Sequence, residues 1–297
     1  MILSNLSIQA LSGQLVLGLV NGAFYATLSL GLSVIFGMLN IVNFAHGAFF
    51  MLGAYIGWIA LTYLGIGYWE ALLLTPILVG AVGLAVERTL LQWLYRLDNA
   101  YGLLLTFGLS LVIEGIFRDA FGASGQTYQT PELLEGSMDL GFMRLPIYRA
   151  WILLASAFVC GLTWYIIERT RLGAYLRAAT ENPDIANTLG INVPMLVSLT
   201  YAAGVALAAF AGVLAAPVVQ INPLMGANII ITVFAVVVIG GMGSIAGSVT
   251  TGLSLGLLEG VAKIVYPQIA ATIVFLAMTV VLLVLPAGIF GTEPKRV

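Results

Sequence analysis

The chain has 297 residues, 61% of them hydrophobic, with 11 Lys or Arg, 13 Asp or Glu and a formal net charge of −2. A soluble domain carries about a quarter charged residues, so this chain has too little polar surface for a soluble enzyme. Its near-neutral balance offers no basic field to nucleic acid, and its hydrophobicity excludes disorder. A bilayer is the solvent that suits it.

No charge stands between Met1 and Trp69, between Ile185 and Leu258, or between Ile264 and Thr292; 19 of the 24 charges lie from Glu70 to Asp184. Charge at the bilayer centre is costly, so the neutral tracts read as spans joined by short turns. About 20 apolar residues cross the hydrocarbon core as a helix. On that ruler spans are predicted at 11–37, 48–66, 69–87, 100–117, 150–167, 194–216, 227–246, 247–262 and 268–287. The chain is therefore expected to be an all-α integral membrane protein with about nine spans (8–10), one permease domain over 1–297. The first span is a candidate for a bend.

Lys and Arg set the orientation. Arg88 and Arg96, then Arg169, Arg171 and Arg177, then Lys295 and Arg296 fall on one side of nine alternating spans, which is predicted to be the cytoplasm. Residues 118–149 are then an extracytoplasmic loop, with Arg118, Arg144 and Arg149 against Asp119, Glu132, Glu135 and Asp139. The N-terminus falls outside as well.

In chain order, the first polar interruption is Asn40, Asn43 and His46. Unpaired polar groups in lipid are expensive, so these should face protein or water. One reading is a broken helix lining a substrate pathway; the other is that Asn43 and His46 cap the next helix. Glu114/Arg118 and Glu259/Lys263 are i, i+4 pairs in the favourable order, read as mutual neutralisation near span ends. Gly122-Ala-Ser-Gly125 has the look of a serine-protease motif. A nucleophilic serine needs a base, His46 is the only histidine, and the stretch reads better as a turn. Cys160, the single cysteine, reads as a small buried hydrophobe.

The stretch Glu168 to Val193, ERTRLGAYLRAATENPDIANTLGINV, gathers six charged residues. Asn182 is a good N-cap, Pro183 suits the first helical position, Asp184 complements the helix dipole and Gly190 is a stop. Ile185, Ala186 and Leu189 are expected to form a small apolar face. A short capped helix between two spans, in a cytoplasmic loop over 168–193, reads as a knob that docks into a soluble partner. Further on, Gly240, Gly241, Gly243 and Ser244 mark a tight turn between two spans. The two lysines, Lys263 and Lys295, follow no phosphate-cradling glycine loop, so no ATPase site is expected in the chain.

The residues resemble the membrane permeases of bacterial ABC importers for branched-chain amino acids, the LivH type. The resemblance rests on Asn21-Gly-Ala-Phe-Tyr-Ala with Asn43-Phe-Ala-His-Gly47 and Leu52-Gly-Ala-Tyr55. It continues in Arg177-Ala-Ala-Thr-Glu-Asn182 with Ala186 and Leu189-Gly-Ile191, and in Gly240-Gly-Met-Gly-Ser244 with Gly247, Gly252, Gly256 and Glu259. It implies that Arg177, Glu181, Asn182, Ala186 and Gly190 form a coupling contact with an ATPase. It also implies a sister permease, two ABC ATPase subunits that carry ATP and Mg, a periplasmic solute-binding protein, and the bacterial inner membrane. The chain itself is expected to bind no cofactor. The implied cargo is small neutral, branched-chain amino acids, with urea or short amides as the alternative. A secondary transporter or channel driven by an ion gradient remains a rival; it would act without any ATPase.

Overall fold

A computed structural model describes residues 8–39, 42–95, 97–270 and 272–291. Asn40, Arg96, Lys295 and Arg296 lie outside the described residues. Eleven α-helices occur among the described residues: α1 Ile8–Leu39, α2 Ala45–Leu64, α3 Tyr68–Thr89, α4 Asn99–Phe121, α5 Ile147–Arg169, α6 Arg171–Glu181, α7 Pro183–Thr188, α8 Val193–Ala215, α9 Met225–Gly240, α10 Ile245–Val265 and α11 Ile273–Val284.

Every expected span coincides with a helix. Seven of those helices, α1 to α5, α8 and α10, are long and apolar enough to cross a bilayer. The other two, α9 and α11, have 16 and 12 residues. At 1.5 Å per residue they rise about 24 and 18 Å, short of the roughly 30 Å hydrocarbon core.

Helix ends follow local chemistry. Asp98 caps α4 by accepting the Ala100 N–H (2.9 Å), and Asn192 caps α8 by accepting the Met195 N–H (3.0 Å). The candidate turn residues occupy the α9–α10 junction. Gly241 and Gly243 take φ of 97° and 85°, and Ser244 caps α10 by accepting the Gly247 N–H at 3.1 Å. The break thus falls at 241–244, within the glycine-rich stretch read as the turn.

Three features depart from the sequence reading. α1 runs as one uninterrupted 32-residue helix, a few residues longer at each end than the expected 11–37. The expected 118–149 loop begins only after α4 has continued to Phe121, and it contains a two-stranded antiparallel hairpin, β1 Ser137–Asp139 and β2 Arg144–Pro146. The charged stretch 168–193 carries an additional helix, α6, ahead of the expected short one. Its 11 residues were legible only as a charged approach to Asn182, since the apolar positions Leu172, Leu176 and Ala179 are few.

Contacts divide the chain into two units. One comprises the described residues of Met1–Ser29, Thr130–Gly161 and Thr232–Val297; the other comprises Leu30–Gln129 and Leu162–Ile231. In the first, Ala235, Val236, Ile239, Leu255 and Val274 form a buried apolar cluster joining α9, α10 and α11. In the second, α8 packs extensively against α3 and α2. α2 and α8 approach backbone to backbone: a Cβ on Gly53 would stand 2.3 Å from the Ala209 carbonyl oxygen.

Candidate functional site

The second unit holds both the charged stretch 168–193 and the polar segment near residue 43. α6 and α7 are separated by Asn182. Its side chain accepts the Ile185 N–H at 3.0 Å, and Pro183 opens α7 without wasting a donor. α7 closes as Gly190 takes φ +84°, a left-handed conformation that costs a non-glycine residue about 1–2 kcal/mol. The Gly190 N–H reaches the Asn187 carbonyl (3.0 Å) and the Ile191 N–H the Ala186 carbonyl (3.0 Å).

The expected apolar face divides in two. Ala186 is buried with Ala179 and Val193, packed by Met38, Ile191, Leu196 and Val197. Ile185 and Leu189 are 57% and 74% exposed, pointing away from that seat. Glu181 and Asp184 are exposed as well. Arg177 faces back toward α5: its Nη1 donates to the Ile167 carbonyl (3.2 Å) and lies 3.7 Å from Glu168. Thus Asn182 and Ala186 hold α7, Arg177 ties α6 back to α5, and Glu181, Asp184, Ile185 and Leu189 are what the α6–α7 knob presents.

The mount continues into α8. The Val193 N–H donates to the Asn187 side chain at 3.3 Å, tying the last turn of α7 to the first of α8. One turn further, Ser198 donates to Glu87 Oε2 (2.5 Å), and Tyr95 donates to Glu87 Oε1 (2.7 Å). Glu87 is 2% exposed, in the last turn of α3. Burial, with the hydrogen bond and charge of Glu87, pushes the Tyr95 phenol far above its ordinary pKa. Sequence reasoning missed Glu87. Its signal was available: a carboxyl group inside an apolar helix, directly before Arg88.

One turn beyond Ser198, the Tyr201 hydroxyl accepts from Asn43 Nδ2 at 3.1 Å. Asn43 and His46 are 1% and 0% exposed. Asn43 lies between α1 and α2 and His46 in the first turn of α2; Asn40, the third polar candidate, falls outside the described residues. The residue preceding α2 is Phe44, with no side-chain cap, and Asn43 spends its amide on Tyr201. The Phe44 N–H donates instead to Thr106 Oγ1 (3.2 Å).

Tyr201 lies eight residues into α8, about 12 Å along its axis, so the break sits well inside the bundle. Irregular backbone is tolerated at such depth only when buried in protein or lining a cavity. The start of α9 comes to the same place. A Cβ on Gly226 would stand 2.3 Å from the Gly47 carbonyl oxygen, so the two helix starts touch only because both positions are glycine.

The remaining candidates make contacts of their own. Glu114–Arg118 and Glu259–Lys263 are paired, and Glu259 also accepts from Tyr25 at 2.8 Å. Cys160 is buried, 4.0 Å from Thr27 Oγ1. Ser124 is exposed in the bend after α4.

Long apolar helices, a break stitched together inside them and a capped knob between two of them define a multi-pass membrane protein. The family model described as "Branched-chain amino acid transport system / permease component" matches residues 14–285, and the chain belongs to that family. It is 32% identical over 298 residues to the high-affinity branched-chain amino acid transport system permease protein BraD of Pseudomonas aeruginosa, covering 94% of this chain and 95% of that one. Against LivH of Escherichia coli K12, named as a permease of the same kind of system, identity is 29% over 291 residues, covering 92% and 93%. A probable LivH of Methanocaldococcus jannaschii is 28% identical, covering 91% and 89%.

Proposed function

We propose that this chain is the permease subunit of an ABC importer that moves branched-chain and related small neutral amino acids into the cell. It is not an enzyme in itself; ATP and Mg are handled by two separate ATPase subunits. A sister permease and a periplasmic solute-binding protein complete the complex in the bacterial inner membrane. Nine crossings, with α9 and α11 completed by their flanking segments, keep the 168–193 segment and the C-terminus on the cytoplasmic side.

The observation that carries this reading is the way α7 is mounted. It has six residues, too few to be stable alone, yet Asn182, Ala186 and Gly190 fix it. Its apolar residues Ile185 and Leu189 are turned outward, against the preference of apolar groups to be buried. That arrangement suits a coupling helix seated in an ATPase cleft. From there Asn187, Val193, Ser198 and Glu87 carry its displacement into α8 and α3. Transport follows as the ATPase pair favours one permease conformation and then the other, a shift limited by the difference in affinity for the two states.

The test is co-purification and uptake. The ATPase subunits should co-purify with the wild-type chain and be lost with Leu189→Asp or deletion of 183–189. ATP-driven leucine uptake in proteoliposomes should fall to background in the same variants, while the permease still inserts and binds its sister. Uptake by the chain alone under an ion gradient would replace this reading with a secondary transporter.

A further inference from the structure

The buried break and the α9 start share a cavity. It measures about 200 Å³ and is walled by Phe44, Ala48 and Met51 at the start of α2, by Ser110 and Glu114 on α4, and by Gly226 and Ile230 on α9 among others. Its lining is largely aliphatic and aromatic. Small residues, Ala48 and Gly226, leave the space open. Its volume lies below that of pockets for drug-sized ligands, roughly 300–1,000 Å³, and suits a small solute.

Among the described residues of that lining, Glu114 is the only ionisable one, with its side chain 14% exposed. Its partner, Arg118, sits one turn along α4 and is 52% exposed, free to swing without losing buried contacts. The pair presents a negative and a positive charge beside an apolar chamber. A zwitterionic amino acid carries the matching set: an ammonium, a carboxylate and an aliphatic side chain. A bare hydrocarbon would leave the charges unused. A sugar or urea would leave the apolar wall unmatched.

Resting on the permease reading above, we propose that this cavity is a substrate subsite for branched-chain amino acids on the translocation route. Glu114 takes the ammonium and Arg118 the carboxylate. Phe44, Met51 and Ile230 enclose the side chain, with Ala48 setting how large a side chain fits. Charged groups inside a largely apolar pocket fix orientation, and the apolar wall selects by size. Glu114 and Arg118 hold each other while the site is vacant, so neither charge is stranded between turnovers.

The test uses the complete transporter in proteoliposomes, with maximal uptake rates of radiolabelled leucine, alanine and phenylalanine. Saturating substrate makes the rate report the permease rather than capture from solution. Ala48→Val should lower leucine relative to alanine by about tenfold, since one or two methyl groups in a tight pocket are worth that much. Met51→Ala should raise phenylalanine relative to leucine. Glu114→Gln should slow all three, with Glu114→Asp restoring part of the rate. A general loss of packing would lower all rates without moving these ratios. If Ala48→Val fails to assemble, Ala227→Val, at the exposed rim, serves in its place. Unchanged ratios in both size variants, with Glu114→Gln at the wild-type rate, overturn the subsite and leave the importer reading standing. A wild-type complex that carries no branched-chain amino acid overturns both.

Discussion

Glu87 shows how much depends on one side chain. A carboxyl group that is 2% exposed and receives hydroxyl hydrogen bonds from two other segments joins α3, the turn after it and α8. Glu87→Ala strands the hydroxyls of Ser198 and Tyr95 and should destabilise the unit by about 2–4 kcal/mol. Glu87→Gln keeps the shape and two hydrogen-bonding atoms, and should cost less than half as much. Thermal inactivation in detergent checks the order of the two. Tyr128 offers a second reading at this scale. It lies in the loop after α4, buried against Tyr68 at a centroid distance of 6.3 Å. Burial, with smaller contributions from Tyr68 and Glu70, pushes its phenol up to about 12. The folded state therefore holds this proton more tightly than the unfolded chain, whose tyrosines titrate near pH 10. The contribution is complete below pH 10 and disappears as pH rises through about 12. Ultraviolet titration should lose one phenol ionising near pH 12 in Tyr128→Phe.

At the level of elements, short segments are defined by their neighbours. α7 carries legible signals, Asn182, Pro183 and Gly190, and forms where they place it. Which side of it faces outward was not legible. Ile185, Ala186 and Leu189 look equivalent as apolar letters, but only Ala186 is small enough to fit against Ala179 and Val193. The break between α1 and α2 could be read as cap or pathway from sequence, because Asn43 and His46 serve either purpose. The partner that the fold gives Asn43 is Tyr201, 158 residues away. The start of α9 was expected near residue 227 and begins at Met225. That it meets α2 there depends on Gly47 and Gly226 facing each other, a coincidence of two distant glycines that no local pattern announces.

For the molecule as a whole, the exposed apolar faces matter most. In α4 only 11% of the most apolar window is buried, against 67% in α1. Leu104, Val112 and Ile116 of α4 are each more than half exposed, an arrangement suited to lipid or a sister subunit. Cys160, buried and single, makes sidedness simple to measure. In a Cys160→Ser background, a cysteine at Asp139 should react with a membrane-impermeant maleimide in intact spheroplasts. A cysteine at Asp184 should react only after permeabilisation. The opposite pattern would remove α7 from the ATPase side.

Composition alone made this a membrane protein, because a chain so poor in charge cannot cover itself with a water-compatible surface. The helices were legible from runs of apolar residues, and the knob from its caps, since both are short-range effects written in adjacent letters. The tertiary structure decided what meets what. The carboxyl group of Glu87 found Ser198 and Tyr95, Asn43 found Tyr201, and two helix starts met at a pair of glycines beside a cavity. Those contacts join residues far apart in the chain, and in an all-apolar sequence many helix faces are chemically alike. Only the packing that brings groups such as Glu87 and Asn43 to their polar partners singles out the pairings that form.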